Sequence, residues 1–144
     1  MESDDLPGSG LLDECVLGER AVEKIAAYRI AKELTDGGWE DASVLHEHPI
    51  LAGVASQLVR ALGSVLVNIA EGYARKSPRE RVRFYEYALG SVEESISWFH
   101  VARRALSSEA AKSRTSQLTS IRRLLLTMIA NERRGNNWNS SRRT

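Results

Sequence analysis

Apolar residues recur at steps of three or four positions along most of this 144-residue chain, the spacing that lines one face of an α-helix. The clearest run comprises Val54, Leu58, Ala61, Leu62, Val65 and Ile69. Three further segments carry similar runs, and none of them shows the alternation of a β-strand. One-sided helices joined by short loops must bury their apolar faces against each other. The sequence therefore predicts an all-α fold, an antiparallel up-down four-helix bundle.

Glycine and proline predict the limits of the first two helices. The first is expected over Glu19–Thr35, because Gly37 and Gly38 form a stop signal, and a polar loop is expected over Trp39–His48. The second is expected over Pro49–Gly72, with proline in its first turn and glycine at its end.

A local start signal predicts the third helix. Ser77 can cap the backbone, Pro78 suits the first helical position, and Glu80 can complete a capping box. This helix should extend to about Leu106, and the fourth should occupy residues 107–134. The expected core positions of the other three helices are Ala21, Ile25, Tyr28, Tyr85, Ala88, Leu89, Val92, Ile96, Phe99, Leu118, Ile121, Leu125, Met128 and Ile129.

The chain divides into a flexible acidic extension (1–17), the bundle (18–134) and a disordered polar, basic tail (135–144). Charge is uneven: residues 1–50 carry 12 acids and 4 bases, and residues 51–144 carry 7 acids and 16 bases. This split fits a basic surface for nucleic acid, two surfaces of one fold that attract each other, or simply differently charged solvated faces.

Several features favour a cytoplasmic protein without a membrane span. Cys15 is the only cysteine, so it has no partner for an internal disulfide, and it has no nearby histidine to activate it as a nucleophile. The acidic start lacks the basic-then-apolar order of a secretory signal. The longest apolar candidate, residues 61–70, is too short to cross a bilayer and contains Asn68.

Two of the predicted helices carry unusual polar faces. The second has an arc of about 80° formed by Gln57, Arg60, Ser64, Asn68 and Glu71. The third has a face formed by Glu80, Arg83, Tyr87, Gly90, Ser91, Glu94 and Trp98. These residues either pair inside one bundle, with Arg60 meeting Glu94 or Glu71 and Asn68 fixing the register, or form a subunit interface that Gly90 and Ser91 allow to approach closely.

The same stretch carries a family resemblance. The segments "QLVRALGSVLVNIAEGYARKS" and "RFYEYALGSVEESI" resemble the 23S rRNA intervening-sequence protein family, whose members show Gln-x-x-Arg-Ala, then Asn-Ile-Ala-Glu-Gly, then a Ser-led helix with Gly-Ser-x-x-Glu. The matching positions here are Gln57, Arg60, Ala61, Ser64, Asn68, Ile69, Ala70, Glu71, Gly72, Ser77, Phe84, Ala88, Gly90, Ser91 and Glu94. The unbroken "NIAEG" with a downstream "GS..E" is the specific part of the pattern.

The resemblance implies a left-handed up-down bundle that assembles as a ring-like homopentamer. It also extends to the accessory protein of diversity-generating retroelements, which binds nucleic acid and a reverse transcriptase. The intervening-sequence proteins themselves have no firmly established biochemical role, so the resemblance conveys fold better than function. This chain departs from the pattern before the second helix, where "HEHPIL" stands in place of Phe-Pro-x-Glu.

No constellation of residues predicts catalysis. His46 and His48 would need further metal ligands from another element, and surface histidines are the commoner interpretation. Glu71, Glu93 and Glu94 have no Asp or His partner at catalytic spacing, and the Glu-x-x-His pattern of diiron bundles is absent from the sequence. We therefore expect no enzyme activity, no cofactor and no metal.

Basic residues supply the main functional hypothesis. Arginine dominates over lysine, and its planar fork suits phosphate oxygens. The expected nucleic-acid-binding residues are Arg75, Lys76, Arg79, Arg81, Arg122, Arg123, Arg133 and Arg134. The sequence thus predicts an oligomeric, non-enzymatic protein that binds RNA or DNA or assists a nucleic-acid enzyme such as a reverse transcriptase. The alternative is a structural module that contacts a protein partner without binding nucleic acid.

Overall fold

The computed structural model describes residues 20–141, and side-chain surroundings for residues 20–135. The expected acidic extension (1–17) and residues 142–144 lie outside the described residues. A short 3₁₀ helix at Ala21–Lys24 precedes four α-helices. Their bounds are Ala26–Glu47 (α1), Ala52–Ala74 (α2), Pro78–Ala102 (α3) and Ser108–Ser141 (α4). The described residues contain no β-strand.

The four helices close into a bundle in which each packs against two neighbours. The packed pairs are α1 with α2, α2 with α3, α3 with α4, and α4 with α1. Short connections reverse the direction of the chain between consecutive helices, as an up-down bundle requires. The largest fully buried side chains are Leu34, Leu45, Leu58, Leu62, Ile69, Leu118, Ile121 and Leu125. The predicted all-α bundle is confirmed.

The prediction that Gly37 and Gly38 stop the first helix is wrong. Helix α1 continues through both glycines to Glu47, so the predicted loop over Trp39–His48 is helical up to that residue. A Cβ at Gly38 would overlap the Leu62 side chain of α2. A Cβ at Gly37 would overlap the guanidinium of Arg114 on α4. These glycines therefore allow neighbouring helices to approach closely, which a C-cap signal in the sequence cannot reveal.

A buried ion pair fills the space that Gly37 leaves open. Arg114 Nε on α4 donates to Asp41 Oδ2 on α1 at 2.8 Å, and the Asp41 side chain is only 7% exposed. Removing either partner would leave a charge with little access to water. This pair connects the first and last helices.

The start of the chain's described part also differs from the prediction. Residues 21–24 form a 3₁₀ helix, and Ile25 is extended before α1 begins. This change of backbone rotates the expected core position Ala21 into solvent and buries Val22 instead. Ile25 is partly buried against the core, and Tyr28 is buried as predicted.

Helix α2 begins later and ends later than predicted. His48 Nδ1 accepts hydrogen bonds from the backbone N–H groups of Ile50 (3.2 Å) and Leu51 (3.3 Å), which orders a turn before the helix starts at Ala52. Gly72 does not end the helix. A Cβ there would lie 2.7 Å from Tyr85 Cε1 of α3, so this glycine permits close packing as well.

The predicted start of α3 is confirmed, because its signals are local. Ser77 Oγ accepts from the Glu80 N–H at 3.2 Å, and Pro78 occupies the first helical position. The helix ends at Ala102, four residues before the predicted end. Helix α4 begins as expected but extends to Ser141, so residues 135–141 are helical where a disordered tail was predicted.

Candidate functional site

One end of the bundle concentrates positive charge. The start of α1, the end of α2, the start of α3 and the later part of α4 meet there. We call this the basic end and define it as residues 20–29, 69–86 and 129–135. These segments contain ten Arg and Lys residues and five Asp and Glu residues.

Six of the eight predicted nucleic-acid-binding residues lie at the basic end, namely Arg75, Lys76, Arg79, Arg81, Arg133 and Arg134. Arg20, Lys24 and Arg29 also lie there and were missed by the sequence prediction. The signal that could have found them is the antiparallel order itself, which places the first turn of α1 beside the last turn of α2.

Arg81 organises this end and is mostly buried. Its guanidinium donates to both carboxylate oxygens of Glu132 at 2.9 Å, a bidentate pair across α3 and α4. Its third nitrogen donates to the carbonyl oxygens of Arg75 (2.9 Å) and Lys76 (2.8 Å). The hydrogen bond with Glu132 raises the pKa of Arg81. Arg81 therefore fixes the turn between α2 and α3, and its donors are engaged within the subunit.

Other arginines at this end have exchangeable partners. Arg75 pairs with Glu71 one turn earlier, and its guanidinium lies 4.8 Å from the centre of the Phe84 ring. Arg133 donates to Glu86 at 2.6 Å, and both side chains are more than half exposed. Exposed pairs of this kind contribute about 0–1 kcal/mol, so a phosphate can displace the carboxylate at little cost.

Lys76, in the connection between α2 and α3, and Arg79, in the first turn of α3, are free to contact a ligand. Both are exposed, and within residues 20–135 neither side chain has an ion pair or hydrogen bond. Because Arg81 holds the backbone between α2 and α3, these two side chains extend from a fixed platform.

Two tyrosine rings are exposed, Tyr73 near the end of α2 and Tyr87 on α3 just beyond the basic end. Tyr73 is 42% exposed and Tyr87 is 46% exposed. Arg83 Nε donates to the Tyr87 hydroxyl at 2.7 Å, and this hydrogen bond raises the pKa of Arg83. Phe84 meets the Tyr87 ring edge to face, with centroids 5.7 Å apart. Rings held in this way can stack on unpaired bases.

A groove of about 550 Å³ opens at the basic end beside the start of α1. Its lining comprises Ile25, Tyr73, Arg81, Tyr85, Met128, Asn131 and Glu132. Burial, with the nearby Glu132 carboxylate, raises the pKa of Tyr85 to about 12, although Arg81 acts in the opposite direction. The groove offers apolar surface beside the Arg81–Glu132 pair.

Arg122 and Arg123 do not belong to this end. They precede Arg133 by about 15 Å along α4 at 1.5 Å per residue. Arg122 Nε donates to Glu93 at 2.8 Å in an exposed pair with α3, and Arg123 is exposed.

The predicted polar residues of α2 and α3 come together across one helix pair. We call this surface the polar face and define it as Gln57, Arg60, Ser64, Asn68, Glu71, Tyr87, Gly90, Ser91, Glu94 and Trp98. Arg60 pairs with Glu94 and also donates to Gln57 Oε1 at 3.1 and 3.2 Å. Glu94 accepts from Trp98 Nε1 at 3.2 Å. The chain therefore forms the Arg60–Glu94 pair that the intra-bundle interpretation predicted.

Two serines connect α2 and α3 in the middle of the polar face. Ser91 Oγ donates to Ser64 Oγ across the helix pair at 2.8 Å. Asn68 donates within its own helix, to the Ser64 carbonyl (2.8 Å) and hydroxyl (3.0 Å). Asn68 thus reaches α3 only through Ser64. Gly90 and Tyr87 are exposed.

The histidines do not meet to form a metal site. Within residues 20–141, no group of three or more His, Cys, Asp or Glu residues could hold a metal ion. His48 orders the turn before α2, whereas His46 lines a groove of about 570 Å³ between α1 and α2, together with Trp39 and Val59.

One helix in the described part of the chain, α2, is long and apolar enough to cross a membrane by composition alone. A third of the most apolar 18-residue stretch of α2 is buried in the bundle. The core residues of this helix are the apolar run first noted in the sequence. A core helix of a soluble protein passes the same test, so this is weak support for a membrane span.

Comparison with known proteins gives a matching family model and solved structures of similar fold. The family model described as 23S rRNA-intervening sequence protein matches residues 23–127. A crystal structure from Bacteroides thetaiotaomicron VPI-5482, described as a protein with unknown function from the S23 ribosomal protein family, superposes with a TM-score of 0.67. It is 20% identical, and the alignment covers 72% of this chain and 98% of that chain. No curated protein matches the chain.

Proposed function

The chain belongs to the 23S rRNA-intervening sequence protein family, and from that premise we propose that it binds the phosphate backbone of a structured nucleic acid through its basic end. The observation that carries this proposal is the pair of exposed cations Lys76 and Arg79, which have no partner among residues 20–135 and lie on and just after the turn held by Arg81. The protein positions the nucleic acid and performs no chemistry on it.

The charges at this end suit an extended polyanion. Lys76 and Arg79 need no rearrangement to meet phosphates. Arg133 would only exchange one exposed carboxylate for a phosphate. Such contacts are electrostatic and independent of base sequence, so affinity must fall steeply with salt. The exposed ring of Tyr73 adds stacking surface for unpaired bases, which favours loops and junctions over a regular duplex.

A salt titration tests the proposal. Replacing Lys76 and Arg79 by alanine should weaken binding to a structured RNA by about tenfold at low salt. It should also lower the slope of log affinity against log salt by about 1.4–1.8, because two phosphate contacts are lost. A DNA hairpin of the same sequence serves as the second arm and distinguishes RNA from DNA.

The matched control replaces Arg103 and Arg104, two exposed arginines on the turn at the opposite end of the bundle. Their loss should leave affinity within twofold. Equal weakening in both double variants, or no binding by the unmodified chain at low salt, would contradict the proposal.

We also propose that copies of the chain assemble through the polar face, as the resemblance to ring-like homopentamers implies. Val67 on α2 is 61% exposed, and Tyr87 and Gly90 on α3 are exposed as well. No atom lies within 4 Å of a Cβ added to Gly90, so a side chain introduced there would extend outward. Assembly would repeat each basic end and multiply modest contacts.

Light scattering tests assembly. Gly90→Arg should lower the mass in solution while keeping the helix content. An unchanged mass, or a monomeric unmodified chain, would contradict assembly through this face. We propose that the chain is a soluble, cytoplasmic protein. It uses nucleic-acid binding and assembly to assist a nucleic-acid enzyme such as a reverse transcriptase.

A further inference from the structure

The chain enters the bundle at the basic end. Arg20 donates to the Tyr28 hydroxyl, and Val22 is buried in the core two residues later. Residues 1–19 are therefore attached directly beside the cations of this end. The segment can therefore reach these cations within its own molecule.

The charge of residues 1–19 is opposite to that of the basic end. The segment has six acidic residues and no Lys or Arg, with the acids at Glu2, Asp4, Asp5, Asp13, Glu14 and Glu19. The basic end has five more cations than carboxylates. A tether of this length spans about 22–26 Å as a flexible coil, which matches the width of a small helical bundle. The effective concentration of such a tethered segment is in the millimolar range.

The apolar residues of the segment also have a counterpart. Leu11, Leu12, Val16 and Leu17 surround Asp13 and Glu14 in the sequence. The groove lined by Ile25, Tyr73, Tyr85 and Met128 opens beside the point of attachment. Its Glu132 carboxylate is already engaged by Arg81, which limits its repulsion of an incoming acidic segment.

We propose that residues 1–19 dock on the basic end of their own molecule, with the Leu11–Leu17 stretch on the groove and the acids beside Lys76 and Arg79. The segment then competes with nucleic acid for the same cations, a consequence that rests on the proposed function. Docking itself does not depend on that function and is measured separately.

Cys15 allows a direct measurement, because it is the only cysteine of the chain. A nitroxide attached to Cys15 should broaden the amide signals of residues 73–83 and 128–134, and should leave residues 103–110 at the opposite end sharp. The same sample with the nitroxide reduced is the control. Broadening should decrease at 0.5 M salt, and also in the variant D4N/D5N/D13N/E14Q.

The same variant should bind nucleic acid about 5- to 50-fold more tightly than the unmodified chain at low salt. Uniform broadening, or broadening at the opposite end, would overturn docking on the basic end. In a mixed sample, nitroxide-bearing molecules could instead broaden the signals of molecules that carry no nitroxide. That result would identify a second copy as the target and overturn the intramolecular contact. If nucleic acid fails to bind while the broadening pattern holds, the proposed function fails and the docking stands.

Discussion

The two ends of the bundle differ in their balance of charge. At the opposite end, which we define as residues 36–53 and 98–114, four Arg and Lys residues face five Asp and Glu residues. Arg114 is mostly buried there and pairs with the buried Asp41. At the basic end, ten Arg and Lys residues face five carboxylates, and Lys76 and Arg79 remain exposed without partners among residues 20–135.

Composition alone does not assign a role to an arginine in this bundle. Arg114 and Arg81 both stabilise the fold, because each is mostly buried and pairs with a carboxylate on a neighbouring helix. Arg79 lies only two residues before Arg81 yet is exposed. Arg79 and Arg81 differ in exposure because they lie on different faces of α3.

The largest expected effect is on the buried pair of the opposite end. Replacing Arg114 by alanine leaves the Asp41 carboxylate buried and uncompensated, so we expect a loss of about 3–5 kcal/mol in the free energy of unfolding. Chemical denaturation measures this loss.

The matched control is Arg122→Ala, which breaks an exposed pair with Glu93 and should cost at most about 1 kcal/mol. The double replacement Asp41→Leu with Arg114→Met should recover most of the lost stability, because no buried charge remains. Similar losses for Arg114→Ala and Arg122→Ala would contradict the contrast between buried and exposed arginines.

A pH-dependent effect is expected at the basic end. Because burial raises the pKa of Tyr85 to about 12, the fold favours the neutral phenol. The associated stability is present in full below pH 10 and is lost as the pH rises through 12. The loss amounts to about 2–3 kcal/mol.

Tyr85→Phe isolates this effect, since lysines and the other tyrosines titrate in both proteins. Between pH 9 and 12, the free energy of unfolding should fall further for the unmodified chain than for Tyr85→Phe. A constant difference across this range would show that Tyr85 does not titrate differently on unfolding.

A smaller effect is expected where α1 meets α2. Gly38→Ala overlaps the Leu62 side chain, a cost of about 1–3 kcal/mol that the higher helix propensity of alanine offsets by up to about 1 kcal/mol. A net loss of about 1–2 kcal/mol should appear in denaturation. Gly63→Ala, where no atom lies within 4 Å of the added Cβ, should be neutral or stabilising. A stabilised Gly38→Ala variant would contradict the close approach.

The sequence predicted those parts of the fold that depend on near neighbours. The start of α3 follows from Ser77, Pro78 and Glu80, which lie within four residues of each other. The continuation of α1 through Gly37 and Gly38 could not be predicted in this way. Its cause lies in Leu62 and Arg114, on helices that the sequence alone did not bring into contact.

The candidate site was predictable to a similar extent. Residues 75–83 form a basic cluster in the sequence itself, so they were found directly. The engagement of Arg81 was not foreseen, because its partner Glu132 lies 51 positions away. The contribution of Arg20 and Lys24 depends on which helix ends meet in space.

Titration with a short structured RNA, followed through the amide signals of the protein, locates the binding surface. We expect shifts concentrated in residues 73–83 and 129–135, and these shifts should diminish at high salt. Shifts concentrated in residues 36–53 and 98–114, or no shifts at low salt, would contradict the basic end as the nucleic-acid-binding surface.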